Sequence, residues 1–332
     1  MSGNPSVCVI IAAFNAAATI GDAVRSALAQ GEVGEVVVVD DASTDATVAT
    51  ARAAAGGDMR LKIVRLPTNG GVSAARNCGI AQSTAELIAL LDADDYYLPD
   101  RFAGLAGRSD WDLFADNIVF LADTVPEMLE RQAVVDANAE AHLDLSGFVA
   151  GNLSGRSVVR GELGFLKPVM RRSFLDAHNL RYDETLRFGE DFDLYVRSLI
   201  AGGRFIISQR VGYVARVRTG SLSVTHTARD LGCLLTAASR HLEHAHIDAG
   251  ARQMLCQHRD QLRERFELRE FLRLRRDKGL GKAARFALWP LTRFTTIAKG
   301  VGQDKIAHLR RQTEKGPTFR YLFSQDNTSS FD

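Results

Sequence analysis

Short apolar, β-branched runs alternate with helix-period segments through residues 7–91, and this alternation restricts the fold more than any other feature of the chain. Val7-Cys-Val-Ile-Ile11 reads as a buried strand. Residues 19–30 follow with Ile20, Ala23, Val24, Ala27 and Leu28 at helical spacing and Gly31 as a stop. Val36–Val39 is a second strand, 44–55 an alanine-rich helix closed by Gly56-Gly57, and Leu61–Leu66 a third strand running into Pro67 and an Asn69-Gly-Gly71 turn. A helix over 73–81 and a strand over 85–91 complete the series. Such alternation predicts right-handed crossovers and a parallel, doubly wound sheet. Two of its strands end in acids, Val39 before Asp40-Asp41 and Leu91 before Asp92-Ala-Asp94-Asp95. Open α/β sheets bind ligands at their carboxyl edge. Hard carboxylate oxygens there suit a divalent cation and the phosphates it bridges.

The length of 332 residues allows one large domain with an appendage, or two domains. The four cysteines (Cys8, Cys78, Cys233, Cys256) show neither paired nor metal-ligand spacing and are expected to be reduced thiols. No basic segment followed by an apolar one marks a secretion signal, and no run approaches the roughly 18 apolar residues of a spanning helix. A cytoplasmic protein is the expectation. The net charge of +1 conceals an asymmetry: 21 basic and 28 acidic side chains over 1–225 give −7, while 20 basic and 12 acidic over 226–332 give +8. A basic tail on an acidic body points to an anionic partner, either a lipid surface or a diphosphate-linked lipid. Nucleic acid is not expected, since no binding motif accompanies the charge.

After Asp95 the pattern loosens. Trp111–Phe120 reads as a strand, 173–178 as a short helix, 191–201 as a stronger one, and Arg204–Ser208 and Gly212–Val217 as two strands. From Arg229 the chain is helical and arginine-rich. Residues 316–332, with Gly, Pro, Asn and Ser, are expected to be poorly ordered.

Five motifs now stand in order: Ile11-Ala-Ala-Phe14-Asn15; Val39-Asp40-Asp41-Ala-Ser43-Thr44-Asp45; Asn69-Gly-Gly71 with Ala75-Arg76-Asn77; Leu91-Asp92-Ala-Asp94-Asp95; and Gly189-Glu190-Asp191. In this order the chain resembles the family 2 glycosyltransferases, inverting enzymes that use nucleotide sugars and have the GT-A fold. Each motif alone is weak; five at the right intervals, over about residues 6–222, are specific. Within the family it looks most like the exopolysaccharide (succinoglycan) glucosyltransferases of the ExoO type. Ala115-Asp116-Asn117, Lys167-Pro168, 187–197 and 201–205 carry that likeness. The resemblance implies a Rossmann-like, doubly wound mixed sheet as catalytic domain over 1–225, with a basic helical extension over 226–315.

It also implies roles. Asp92, Asp94 and Asp95 would form the metal motif, holding Mn²⁺ or Mg²⁺ against the donor diphosphate, with Asp94 and Asp95 as ligands; a solvated acidic turn is the plain alternative. Asp41 would accept from the uracil imide with Asp40 beside it, and Phe14 and Asn15 would contact base and ribose. Arg76 would reach toward the nucleotide. Asp41 could instead cap the following helix, and Arg76 could be a surface residue. Asp191, opening a helix after Gly189, would be the catalytic base, its ionised form favoured by the helix N-terminus; Glu190 would support the acceptor. Tyr213, Arg216, Arg218 and Ser221-Leu-Ser223 match a segment that covers the diphosphate or acceptor, although many relatives have His at the place of Arg218. The Gln-x-x-Arg-Trp motif of processive synthases is missing, so one sugar per encounter is expected. The implied partners are a UDP-sugar donor, with UDP-glucose foremost, and a polyprenyl-diphosphate-linked saccharide acceptor.

Residues 281–302 mix Phe286, Leu288, Trp289, Leu291, Phe294 and Ile297 with Lys282, Arg285, Arg293 and Lys299. Such a segment either lies in the plane of an anionic membrane or packs on the catalytic domain. His241, His244 and His246 are expected on a solvated helix face. A nucleotidyltransferase or NAD enzyme is disfavoured, because strand one runs into Ala-Ala-Phe-Asn rather than a glycine-rich phosphate loop. A catalytically silent carbohydrate-binding protein is disfavoured by the intact Asp94 and Asp191.

Overall fold

Continuous apolar runs suit strands buried on both faces, and Val7–Ile11, Val36–Val39 and Leu87–Leu91 are all buried. The structure, a computed structural model, describes residues 6–105, 107–122, 139–153, 163–217, 226–288, 293–294, 297 and 319–322. Strands β1 (Val7–Ala13), β2 (Val33–Asp40), β3 (Leu61–Arg65) and β4 (Leu87–Leu90) alternate with helices α1 (Ile20–Leu28), α2 (Thr47–Ala55) and α3 (Val72–Gln82). They pair in parallel in the order β3-β2-β1-β4. The carboxyl ends of β2 and β4 therefore open on one edge, with β1 between them.

Beyond β4 the sheet becomes mixed. It is completed by β5 (Tyr96–Tyr97), β6 (Leu113–Ala122), β7 (Glu140–His142), β8 (Val169–Arg171), β9 (Phe205–Val217) and β10 (Phe319–Tyr321). β8 runs antiparallel to β4 and β6, β9 lies parallel to β6, and β5 and β7 pair antiparallel with β9. The two strands expected over 204–217 are one, with a register shift opposite Ala115–Ile118 that absorbs polar Ser208, Gln209 and Arg210 as a bulge. Part of the segment expected to be poorly ordered also forms a strand. Phe319–Tyr321 pairs with Val119–Leu121 of β6, and Leu322 is buried. A Phe-Arg-Tyr-Leu run has the strand-forming composition that the surrounding Gly, Pro and Asn obscured.

The remaining helices are α4 (Leu145–Ala150), α5 (Arg172–Ala177), α6 (Glu190–Ile200), α7 (Ala228–His241), α8 (Ala249–Lys278) and α9 (Leu280–Leu288). α6 begins at Gly189, whose φ of 70° is left-handed and whose Cβ position lies 2.9 Å from a Leu234 methyl. Only glycine opens this helix against α7 without strain. Leu186 packs with Leu234, Ala237, Ala238 and Leu262, so α7 and α8 rest on the loop that delivers Glu190 and Asp191. His241, expected in solvent, is buried with its Nε2 2.8 Å from Asp193 Oδ1, whereas His244 and His246 are exposed as anticipated. The turn after α7 carries two of the three histidines away from the packed face. Among the described residues no helix is long and apolar enough to cross a membrane. Arg218 and Ser221–Ser223 lie outside the described residues, as do Trp289, Leu291 and Lys299.

Candidate active site

Asp40 ends β2, and the turn after it gathers the first group of expected contacts. Asn15, at φ 50°, donates its backbone N–H to Ser43 Oγ (2.9 Å) and accepts the Thr44 N–H on its side chain (2.9 Å). These bonds fasten the loop after β1 to the loop after β2 and leave Phe14 half-exposed beside them. Asp41 does not cap α2: its carboxylate accepts the N–H groups of Gly70 (2.7 Å) and Gly71 (2.9 Å). One lone pair on each oxygen remains for a ligand. Asp45 holds the start of α2 instead, accepting from the Thr47 N–H.

The second group centres on Arg76, which α3 buries rather than displays. One nitrogen donates to Glu190 Oε1 (2.9 Å) and Asp191 Oδ1 (2.8 Å), and another to Asp92 Oδ1 (2.9 Å). Lys167, also buried, bonds Asp191 Oδ2 at 2.8 Å and reaches Asp92 Oδ2 at 3.2 Å. The Tyr182 hydroxyl donates to Asp191 Oδ1 at 3.1 Å. The structure thus brings Asp92, at the end of β4, and Asp191, at the start of α6, onto the same two cations. Burial opposes ionisation of Asp92, yet Lys167 and Arg76 hold its carboxyl down to about 2. Burial, with Asp191 adjacent, pushes Glu190 up.

Asp95 differs from Asp92. Its carboxyl accepts the Tyr213 hydroxyl (2.7 Å) and the Arg216 backbone N–H (2.9 Å). Burial, then Asp92 and Asp94, push it up to about 8. A cation beside these acids would remove that repulsion, so the donor set fits a hard divalent ion. Among the described residues no group of three or more His, Cys, Asp or Glu side chains is arranged to hold a metal unaided.

A family model, glycosyl transferase family 2, matches residues 8–133. Two proteins of Rhizobium meliloti (strain 1021) are similar over most of the chain. The succinoglycan biosynthesis protein ExoU is 45% identical over 311 residues, 94% of this chain and 91% of the relative. The chain belongs to glycosyl transferase family 2. ExoO, another succinoglycan biosynthesis protein, is 37% identical over 276 residues, covering 81% of this chain and 76% of the relative. Among solved structures, S. aureus TarS 1–349 in complex with UDP-GlcNAc superposes with a TM-score of 0.58 at 22% identity, covering 82% of this chain and 74% of that one. The Pyrobaculum calidifontis mannosyltransferase PcManGT, with GDP-Man and Mn²⁺, gives 0.54 at 17%, covering 90% and 87%. The fold of this family 2 glycosyltransferase is GT-A.

Sequence reasoning passed over the contributions of Lys167 and Tyr182. In the sequence Lys167 stands out only as part of a Lys-Pro pair, and Tyr182 belongs to none of the five motifs. The available signal was slight: a lone lysine between Leu166 and Pro168, ahead of an apolar strand.

Proposed function

We propose that this chain is an inverting, non-processive hexosyltransferase of exopolysaccharide assembly, transferring one glucose from UDP-glucose to a polyprenyl-diphosphate-linked oligosaccharide. One observation carries the reading: a single Arg76 guanidinium spans the strand-end acid Asp92 and the helix-start acid Asp191. Leaving-group and attacking-group chemistry then share one rigid fork. Both lone pairs of Asp191 Oδ1 are occupied, by Arg76 and Tyr182, and Lys167 takes one of Oδ2. The open lone pair of Oδ2 takes the acceptor hydroxyl proton as that oxygen attacks the anomeric carbon and the bond to the UDP β-phosphate oxygen breaks. Asp41, Phe14 and Asn15 form the uridine end, and Arg76 acts by holding Asp92 and Asp191. Bound Mn²⁺ or Mg²⁺, with Asp94 and Asp95 as its residues, would neutralise charge on the departing diphosphate. Residues 1–225 are assigned as catalytic domain and 226–315 as extension, with α9 as peripheral contact on the inner face of an anionic membrane.

The names of ExoU and ExoO support the exopolysaccharide context, and the nucleotide sugars of TarS and PcManGT support a nucleotide-sugar donor. The test is a donor screen with UDP-glucose, UDP-galactose and UDP-N-acetylglucosamine, run with Asp191→Asn and Asp94→Asn. UDP-glucose should be the substrate. Asp191→Asn should abolish transfer with UDP binding nearly intact, and Asp94→Asn should weaken Mn²⁺-dependent donor binding. Equal loss of UDP affinity in both variants would refute the roles.

A further inference from the structure

We propose that Lys167 is a positioning residue for Asp191, fixing the oxygen that takes the acceptor proton; this rests on the reading of Asp191 as base. Arg76 bridges Asp191 Oδ1 to Asp92 Oδ1, and Lys167 bridges Asp191 Oδ2 to Asp92 Oδ2. Two cations and two carboxylates thus close a ring. Without Lys167, Arg76 and Tyr182 would hold the Asp191 carboxylate by Oδ1 alone, and rotation about its Cβ–Cγ bond would be opposed at that oxygen only. A second bridge on the other oxygen holds its plane from both sides, and among the described residues Lys167 is the donor that Oδ2 meets, which leaves a lone pair there for the acceptor hydroxyl.

Lys167 is itself held on both sides. Its carbonyl accepts from Arg101 (2.7 Å), which is bound bidentately to Asp116 at 2.9 and 2.7 Å. The preceding carbonyl, of Leu166, accepts from the Tyr195 hydroxyl at 2.9 Å, and Pro168 restricts the backbone of Lys167 just before it. Three buried side chains therefore set the base of a lysine whose ammonium pairs with Asp92 and Asp191. A lysine needed only for solubility would not be buried, and one needed only to neutralise charge would not require so fixed a stem.

The positioning role separates from donor binding in full-length protein. Lys167→Met should bind UDP in the presence of Mn²⁺ within about threefold of wild type by calorimetry, while transfer kcat falls at least about 100-fold. Lys167→Arg, which keeps the charge, should recover about tenfold of that loss. Transfer by Lys167→Met within about threefold of wild type, or UDP affinity falling in step with kcat, overturns the proposal; the latter would make Lys167 a donor-binding residue. If Lys167→Met does not fold, Lys167→Arg decides: lowered kcat at unchanged UDP affinity supports positioning, and parallel loss of both overturns it. Wild-type protein that neither binds UDP nor transfers sugar instead removes the parent assignment of Asp191.

Discussion

Arg101 is buried within about one ring's width of Tyr97 and Tyr213, its guanidinium carbon 4.3 and 5.2 Å from their centroids. A buried guanidinium is tolerated only when paired, and Asp116 supplies the pair. Gly212 makes room for it. A Cβ at that position would lie 1.8 Å from Asp116 Oδ2 and 2.8 Å from Arg101 Cγ, so a side chain there must displace one partner. Gly212→Ala is expected to cost about 3–5 kcal/mol in chemical denaturation, the range for breaking a buried pair. Loss under about 1 kcal/mol would mean that the strand shifts to preserve the pair. The same change should lower transfer activity in the surviving folded protein, because Arg101 also holds the Lys167 carbonyl and packs on the ring whose hydroxyl binds Asp95.

At the scale of elements, α6 is held from behind by the extension. Asp193 pairs with both Arg197 and His241, Arg240 reaches Asp183, and the His258 ring stacks on Phe192 with centroids 4.2 Å apart. Burial, then His241 and Arg265, push the His258 imidazole down to about 4. The unfolded chain therefore binds this proton near pH 6.5 while the folded one resists it to about pH 4. Stability is full above pH 6.5 and falls as pH drops toward 4, by about 3 kcal/mol from this group. His258→Phe should flatten that part of the stability–pH curve, and an unchanged slope between pH 6.5 and 4 would show that α8 opens before His258 protonates. This level also marks what the residue pattern could reveal. Acids after β2 and β4 were legible because strand period and strand end are local properties. The meeting of Arg76, Lys167 and Tyr182 at Asp191 was not, since it depends on how β8, α3 and the loop before α6 pack. His241 was misplaced for the same reason: its helix face is decided by Asp193 on another element.

For the whole molecule, the charge of −7 over 1–225 against +8 over 226–332 gives the protein an electrical direction. The described end of the extension adds an apolar one. Leu280, Leu288 and Phe294 are exposed at 73%, 53% and 51%, while Ala283 and Ala287 of the same α9 face inward and are buried. Arg275, Arg276 and Lys278 at the end of α8, and Lys282 and Arg285 on α9, are exposed as well. Exposed leucines together with exposed basic side chains are what the proposed contact with an anionic bilayer would use, where each lysine or arginine contributes about 1 kcal/mol. The net negative charge of residues 1–225 would be repelled by the same surface. Vesicles containing phosphatidylglycerol should therefore co-sediment the protein at about 0.1 M salt and release it near 1 M, where the screening length shrinks to about 3 Å. Phosphatidylcholine vesicles should not bind it. Leu280→Ser with Leu288→Ser should weaken binding to the anionic vesicles without changing UDP affinity, and charge reversal at Arg275, Arg276, Lys282 and Arg285 should abolish it. Equal binding to both lipids would assign the contact to the apolar edge alone, and no binding to either would turn α9 toward a protein partner.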